Sequence, residues 1–118
     1  MCLFCKIIKK EIPSETVLEN ENFIAFHDIN PKAPTHILAI PKLHVESFND
    51  VTPETMSGMT TFIQELVKEV DIEKNGYRVI TNIGDNGAQE VKHLHFHVLG
   101  GAKLKWTHLS DSDPKKFL

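Results

Sequence analysis

Long hydrophobic runs are missing from this sequence. Nothing in its 118 residues approaches the ~20 consecutive apolar positions that cross a bilayer, so no membrane partner is expected. Charge of one sign is missing too: 13 Lys and Arg stand against 16 Asp and Glu, a formal net charge of −3, which supplies no basic footprint for nucleic acid. Cysteine is scarce, and the two present, Cys2 and Cys5, are too few for a disulfide framework. Their thiols are expected to be reduced or metal-bound, in a cytoplasmic protein. The opening "MCLFCKIIKKEIP" has neither an apolar h-region nor a small-residue cleavage site, so export is not expected. There is no repeat, no low-complexity tract and no Gly/Ser-rich linker. The expectation is one domain over 1–118, with 107–118 as a polar tail that docks as coil or reaches a partner subunit.

What is present is enough to build a core: 41% of the residues are hydrophobic. "LFCKIIKKE" (3–11) fits a short amphipathic helix stopped by Pro13. "ETVLENENFIAFHDIN" (15–30) reads as two short strands around a turn at Glu19–Glu21, followed by the proline-punctuated loop "INPKAPT" and a strand over 36–42. Thr52 as N-cap and Pro53 at the first helical position open a long helix. Met56, Met59, Phe62, Ile63, Leu66, Val67 and Val70 recur along it at helical spacing. A strand over 76–84 and a turn over 85–89 follow. Several strands around one substantial helix predict an α+β fold with an antiparallel sheet.

The segment "VKHLHFHVLGG" (91–101) then alternates His93, His95 and His97 with Leu94, Phe96 and Val98. The period is that of a strand, which puts the imidazoles on one face and the apolar residues on the other, beneath the long helix. Three readings compete. The histidines could decorate a solvated face, although three groups titrating near neutrality in strict register speak against decoration. They could hold one metal, but Cα atoms four strand positions apart lie about 13 Å apart, too far for a single ion with bonds of about 2.1 Å. Or they could divide the labour of nucleophilic catalysis at phosphorus. Imidazole attacks well and leaves readily when protonated, and a second imidazole about 6.6 Å along the strand can act as the acid.

"HLHFHVLGG" resembles the histidine triad (HIT) signature, and the resemblance extends through "CKIIKKEIPS", "FIAFHDINPKAPTHILAIPKLH", "GYRVITNIGDNGAQEVKHLHFHVLGG" and Trp106. These stretches are similar to the nucleoside phosphoramidate hydrolase (Hint) branch of that family, in order and at matching spacing. The resemblance implies a five-stranded antiparallel sheet with one long and one short helix, two such sheets joining into ten strands in a homodimer. It implies a purine nucleotide substrate, adenosine or guanosine phosphoramidates, and no metal in the chemistry. It makes His95 the nucleophile of a nucleotidyl-histidine intermediate. His97 becomes the group that binds phosphate and assists the amine leaving group, and His36 a further active-site histidine. Asp28 becomes the ribose-hydroxyl acceptor, Phe4, Ile7, Phe26, His27 and Ile29 the base pocket, Asn82 and the amide of Ala88 or Gln89 phosphate-side contacts, and Trp106 a further nucleotide-binding residue. For the base-pocket residues ordinary core packing is the competing reading.

Two positions depart from the pattern. Glu90 stands where many relatives have serine or threonine, and Ala88 replaces a glycine of some relatives; both bear on the leaving group more than on the reaction class. Relatives that transfer nucleotidyl groups carry glutamine at the third histidine position. His97 can protonate an amine and glutamine cannot, which favours a hydrolase. Rival readings are a dinucleoside polyphosphate hydrolase and a nucleotide-binding adaptor with incidental catalysis. Cys2-x-x-Cys5 has a spacing common in zinc sites, while paired free thiols and a redox motif are the alternatives. Some bacterial relatives bind structural zinc through two such cysteines, a histidine after the "IPK" strand and the first triad histidine, which here are Cys2, Cys5, His44 and His93.

Overall fold

A computed structural model of the chain describes residues 2–115. Its elements are α1 (Leu3–Ile8), β1 (Thr16–Glu19), β2 (Phe23–His27), β3 (Thr35–Pro41), α2 (Pro53–Glu69), β4 (Arg78–Ile80) and β5 (Phe96–Gly100). The strands form one antiparallel sheet in the order β1-β2-β3-β5-β4. The expected α+β architecture, five strands with one long and one short helix, is therefore what the chain adopts.

The sheet is covered on both faces. Phe23, Ala25, Ile37, Ala39, Phe96 and Val98 face α2 and pack with Met59, Phe62, Leu66, Val67 and Leu94. Burial of each of the large side chains among them is worth about 1.5–3 kcal/mol before the entropic cost of ordering the chain. Ile24, Phe26, Leu38 and Ile40 alternate onto the opposite face, where Phe4 and Ile7 of α1 cover them. On that second face β3 presents His36 and, across the ladder from Leu38, β5 presents His97.

Both helix ends have local causes. Thr52 caps α2 by accepting from the Thr55 amide at 3.2 Å, with Pro53 in the first turn where its missing N–H costs nothing. Asp71 turns the chain out with φ 58°, and Ile72 N–H closes onto the Val67 carbonyl, a Schellman motif whose apolar contact is Ile72. α1 ends in the same way rather than at Pro13. Lys10 takes φ 64°, Glu11 N–H donates to the Lys6 carbonyl and Lys10 N–H to the Ile7 carbonyl, so the helix stops at Ile8 and not at residue 11.

Two strands are shorter than their alternation suggests. β4 covers only Arg78–Ile80, and β5 begins at Phe96, so His97 alone of the three histidines lies in the ladder. The cause is competition from side chains for the backbone. Thr81 Oγ1 donates to the His95 carbonyl at 2.8 Å, and His95 Nδ1 takes the His93 carbonyl at 2.7 Å, so both acceptors are withdrawn from strand pairing. Leu94 N–H donates instead to the Val45 carbonyl at 2.7 Å. Among the described residues no helix is long and apolar enough to cross a membrane. Residues 107–115 form neither helix nor strand and are exposed; the rest of the expected tail, 116–118, lies outside the described residues.

Candidate active site and metal centre

On the α1 face of the sheet the histidines separate into two groups. His95 and His97 approach with ring centroids 5.1 Å apart, and His36 lies 5.1 Å from His97 on the other side. The proton positions can be assigned from the hydrogen-bond network. Lys32 N–H donates to His36 Nδ1 at 3.0 Å, so the His36 proton sits on Nε2. That Nε2–H faces His97 Nδ1 at 2.8 Å, which makes Nδ1 the acceptor and leaves Nε2–H as the donor of His97. His95 is fixed in the opposite sense: Nδ1–H donates to the His93 carbonyl, so the lone pair is on Nε2. A nucleophilic nitrogen and a donor nitrogen thus sit on neighbouring rings.

Electrostatics agree with neutral rings at His36 and His97. Burial pushes the pKa of His97 down to about 4, with His95 and His36 adding repulsion and Asp28 opposing it. Burial also lowers that of His36, against the pull of Asp28, whose Oδ2 is 3.4 Å from His36 Nε2. Asp28 is itself held by the Asn30 N–H on Oδ1 at 2.7 Å and by its own N–H on the His36 carbonyl at 3.0 Å.

A family model for the HIT domain matches residues 9–104. This chain belongs to the HIT family. An uncharacterized HIT-like protein of Helicobacter pylori is 53% identical over 103 residues, covering 87% of this chain and 99% of that protein. The purine nucleoside phosphoramidase of Escherichia coli is 43% identical over 105 residues, covering 86% and 88%. The crystal structure of a HIT family hydrolase from Legionella pneumophila superposes with a TM-score of 0.86 at 42% identity, covering 90% of this chain and 97% of that one.

The second histidine group of this HIT protein lies under α1. Cys2 Sγ, Cys5 Sγ, His44 Nδ1 and His93 Nδ1 all fall within 4.8 Å of one another. Their separations make the edges of a small tetrahedron: 2.8 Å between the sulfurs, 3.1 Å between the nitrogens, and 3.3–3.6 Å for the four mixed pairs. A tetrahedral zinc with bonds of about 2.0–2.3 Å needs edges of about 3.3–3.8 Å, so the cluster fits once the sulfurs part by about 1 Å and the nitrogens by a few tenths. The donor chemistry fits as well. His93 Nε2–H donates to the Pro41 carbonyl at 2.8 Å, which turns the Nδ1 lone pair into the cluster. Burial, together with neighbouring Cys2, pushes the Cys5 thiol up, and a cation there would favour the thiolate instead. The ion would supply a fixed crosslink between α1, the segment after β3 and the segment before β5.

The remaining residues singled out in the sequence are placed as follows. Phe4, Ile7 and Phe26 are buried in the second core cluster, whereas His27 is exposed and Ile29 is 93% exposed. The structure does not gather these five into one enclosed pocket. Asn82 Nδ2 donates to the Gly87 carbonyl at 2.6 Å, and Ala88 takes φ 62°. Gln89 bridges the Gly84 N–H and the Glu46 and Val91 carbonyls, so these three residues brace the 84–89 turn. Trp106, 76% exposed, packs on the Arg78 guanidinium 5.2 Å from its ring centroid, at the outer strand β4. Sequence reasoning passed over the Lys32 amide and the carbonyls of Pro41 and His93, which fix the tautomers. No residue type advertises a main-chain group.

Proposed function

We propose that this HIT protein is a purine nucleoside phosphoramidate hydrolase that works through a nucleotidyl-histidine intermediate. The observation that carries the reading is the hydrogen bond from His95 Nδ1 to the His93 carbonyl, which leaves His95 Nε2 unprotonated beside the His97 donor. His95 Nε2 attacks the α-phosphorus as the P–N bond to the amine breaks. The departing nitrogen takes its proton from His97 Nε2, and the His36–His97 pair, which takes up one proton from solvent as the anionic substrate binds, is left neutral. His95, bonded to phosphorus, is then cationic. Attacking water returns a proton to the pair and releases the nucleoside monophosphate with His95 neutral. The identity to a purine nucleoside phosphoramidase supports the same substrate class.

In this reading Asp28 accepts from the ribose hydroxyls, Phe4, Ile7, Phe26, His27 and Ile29 serve the base, and Asn82, Ala88 and Gln89 the phosphate side. Cys2, Cys5, His44 and His93 hold a structural zinc, which the convergence of their donor atoms supports. A cytoplasmic setting suits the two free thiols. A homodimer pairing through the short outer strand β4, where Val79 is 42% exposed, would close that sheet edge. The decisive experiment is to quench the protein during turnover of an adenosine phosphoramidate and map the adduct. AMP on His95, and none in His95→Ala, is expected. An adduct on another side chain, or native turnover by His95→Ala, overturns the proposal. Faster turnover of diadenosine polyphosphates, or no turnover of any nucleotide, would redirect it to a polyphosphate hydrolase or an adaptor.

A further inference from the structure

The two histidine groups are not independent. His93 belongs to both: its Nδ1 is in the Cys2/Cys5/His44 cluster and its carbonyl accepts from His95 Nδ1 at 2.7 Å. A second connection runs through Phe4, which sits in sequence between the two cysteines. Its ring meets that of His93 edge-on at 5.9 Å and that of His95 edge-on at 5.1 Å, and it is almost wholly buried.

We propose that the metal cluster and α1 form a positioning device for the nucleophile: ligation at Cys2, Cys5, His44 and His93 fixes the ring of His95 and keeps its proton on Nδ1. This rests on the reading of His95 and of the cluster given above. α1 has six residues, far too few to persist by itself. What holds it is side-chain docking, with Phe4 and Ile7 in the core and the two cysteines in the cluster. Loss of ligation frees the N-terminal turn, withdraws Phe4 from His95 and lets the His93 main chain drift. An imidazole that loses the acceptor at Nδ1 is no longer held to one tautomer, and the form with the proton on Nε2 cannot attack phosphorus. His93, and Phe4 in addition to its place at the base, thus act as positioning residues through His95, and that orienting action is read in kcat and in the His95 tautomer.

The test compares the zinc-loaded wild type with His44→Ala, chosen because His44 is the exposed ligand, and with Cys5→Ser. Three readouts are taken: zinc per chain, the tautomer of His95 from its ring ¹⁵N resonances, and kcat and KM for an adenosine phosphoramidate. The wild type is expected to show one zinc per chain and a single His95 form protonated at Nδ1. The variants should lose zinc, show mixed His95 tautomers, and drop kcat tenfold or more, with a rise in KM besides because Phe4 and Ile7 of the freed turn also serve the base. Zinc-free variants with an unaltered His95 spectrum and native kcat overturn the proposal, as does a wild type that takes up no zinc. Should both ligand variants fail to fold, Phe4→Leu with its zinc retained is examined by the ¹⁵N readout alone, and an unchanged tautomer there overturns the proposal. Absence of phosphoramidate turnover in the wild type would sink the assigned reaction, while the metal dependence of the His95 tautomer would still be read.

Discussion

His36 Nε2 lies 2.8 Å from His97 Nδ1, and the Lys32 amide on the far side of His36 decides which ring carries the shared proton. The main chain thereby sets the donor state of a ring two hydrogen bonds away. A glutamine at 97 could occupy the space and bind a phosphate oxygen, but it has no second ring nitrogen through which a proton can pass.

His97→Gln should therefore slow turnover in proportion to the basicity of the leaving group. For an alkylamine the expected loss in kcat is about 10²–10⁴-fold, the usual worth of a positioned proton donor. For a nucleotide bearing an acidic phenol the loss should be small. Rates across a series of leaving groups check this; a constant defect over the whole series would remove His97 from proton transfer.

The depressed pKa of His97 also has a thermodynamic consequence. Its folded value is about 4 against about 6.5 in an unfolded chain. Between those values the unfolded state binds more protons, so acidification favours unfolding. Stability linked to this group is complete above pH 6.5, declines as the pH falls, and is exhausted near pH 4. His36, lowered by burial, acts in the same direction. From pH 7 to pH 4 the melting temperature of the wild type should fall more than that of His97→Gln, because the variant has lost one of the titrating groups. Parallel curves would contradict the assigned direction.

Much of this architecture was legible in the residues. Thr52 and Pro53 marked the start of α2, and its apolar spacing marked the face that Met59, Phe62, Leu66 and Val67 bury. Leu94, Phe96 and Val98 pack under that helix as alternation requires. The ends of elements were less visible. α1 terminates at a Lys10 in the left-handed region, where lysine carries none of the signal of glycine. β5 starts late because Thr81 and the His95 ring occupy carbonyls that periodicity counts as ladder acceptors. At the site, Cys2-x-x-Cys5 announced a metal spacing, but His44 and His93 arrive from separate segments and only folding brings their Nδ1 atoms to 3.1 Å. The exposure of Ile29 close to the buried Phe26 was not legible, since apolar character alone does not say which side of a loop faces solvent.

Gly58 is a test of packing on the α2 face. A Cβ there would lie 2.7 Å from Cε2 and 2.9 Å from Cζ of Phe23. That ring cannot swing away freely, because it is buried and stacks on Phe62 with centroids 5.5 Å apart. In an exposed helix glycine to alanine would stabilise by about 1 kcal/mol. Overpacking typically costs about 1–3 kcal/mol, so Gly58→Ala is expected to be neutral to destabilising by up to about 2 kcal/mol. Denaturant unfolding measures it, and a gain of stability would show that Phe23 has room to move.

Asp28 separates recognition from proton positioning. Its Oδ1 is taken by the Asn30 amide and its Oδ2 lies 3.4 Å from His36 Nε2, so one carboxylate faces both the proposed ribose and the imidazole relay. Asp28→Asn keeps the shape, removes the charge and turns one acceptor into a donor. A ribose that donates two hydroxyls to the carboxylate should lose affinity on the order of tenfold, the effect of one charge-assisted hydrogen bond. A 2′-deoxy substrate, which has less to lose, should respond less. The carboxylate also supports a protonated His36, so a moderate fall in kcat common to both substrates is expected in addition. Measuring KM and kcat for the ribo and deoxy pair in wild type and Asp28→Asn separates the effects. Equal changes in KM for the two sugars would leave Asp28 with the relay alone.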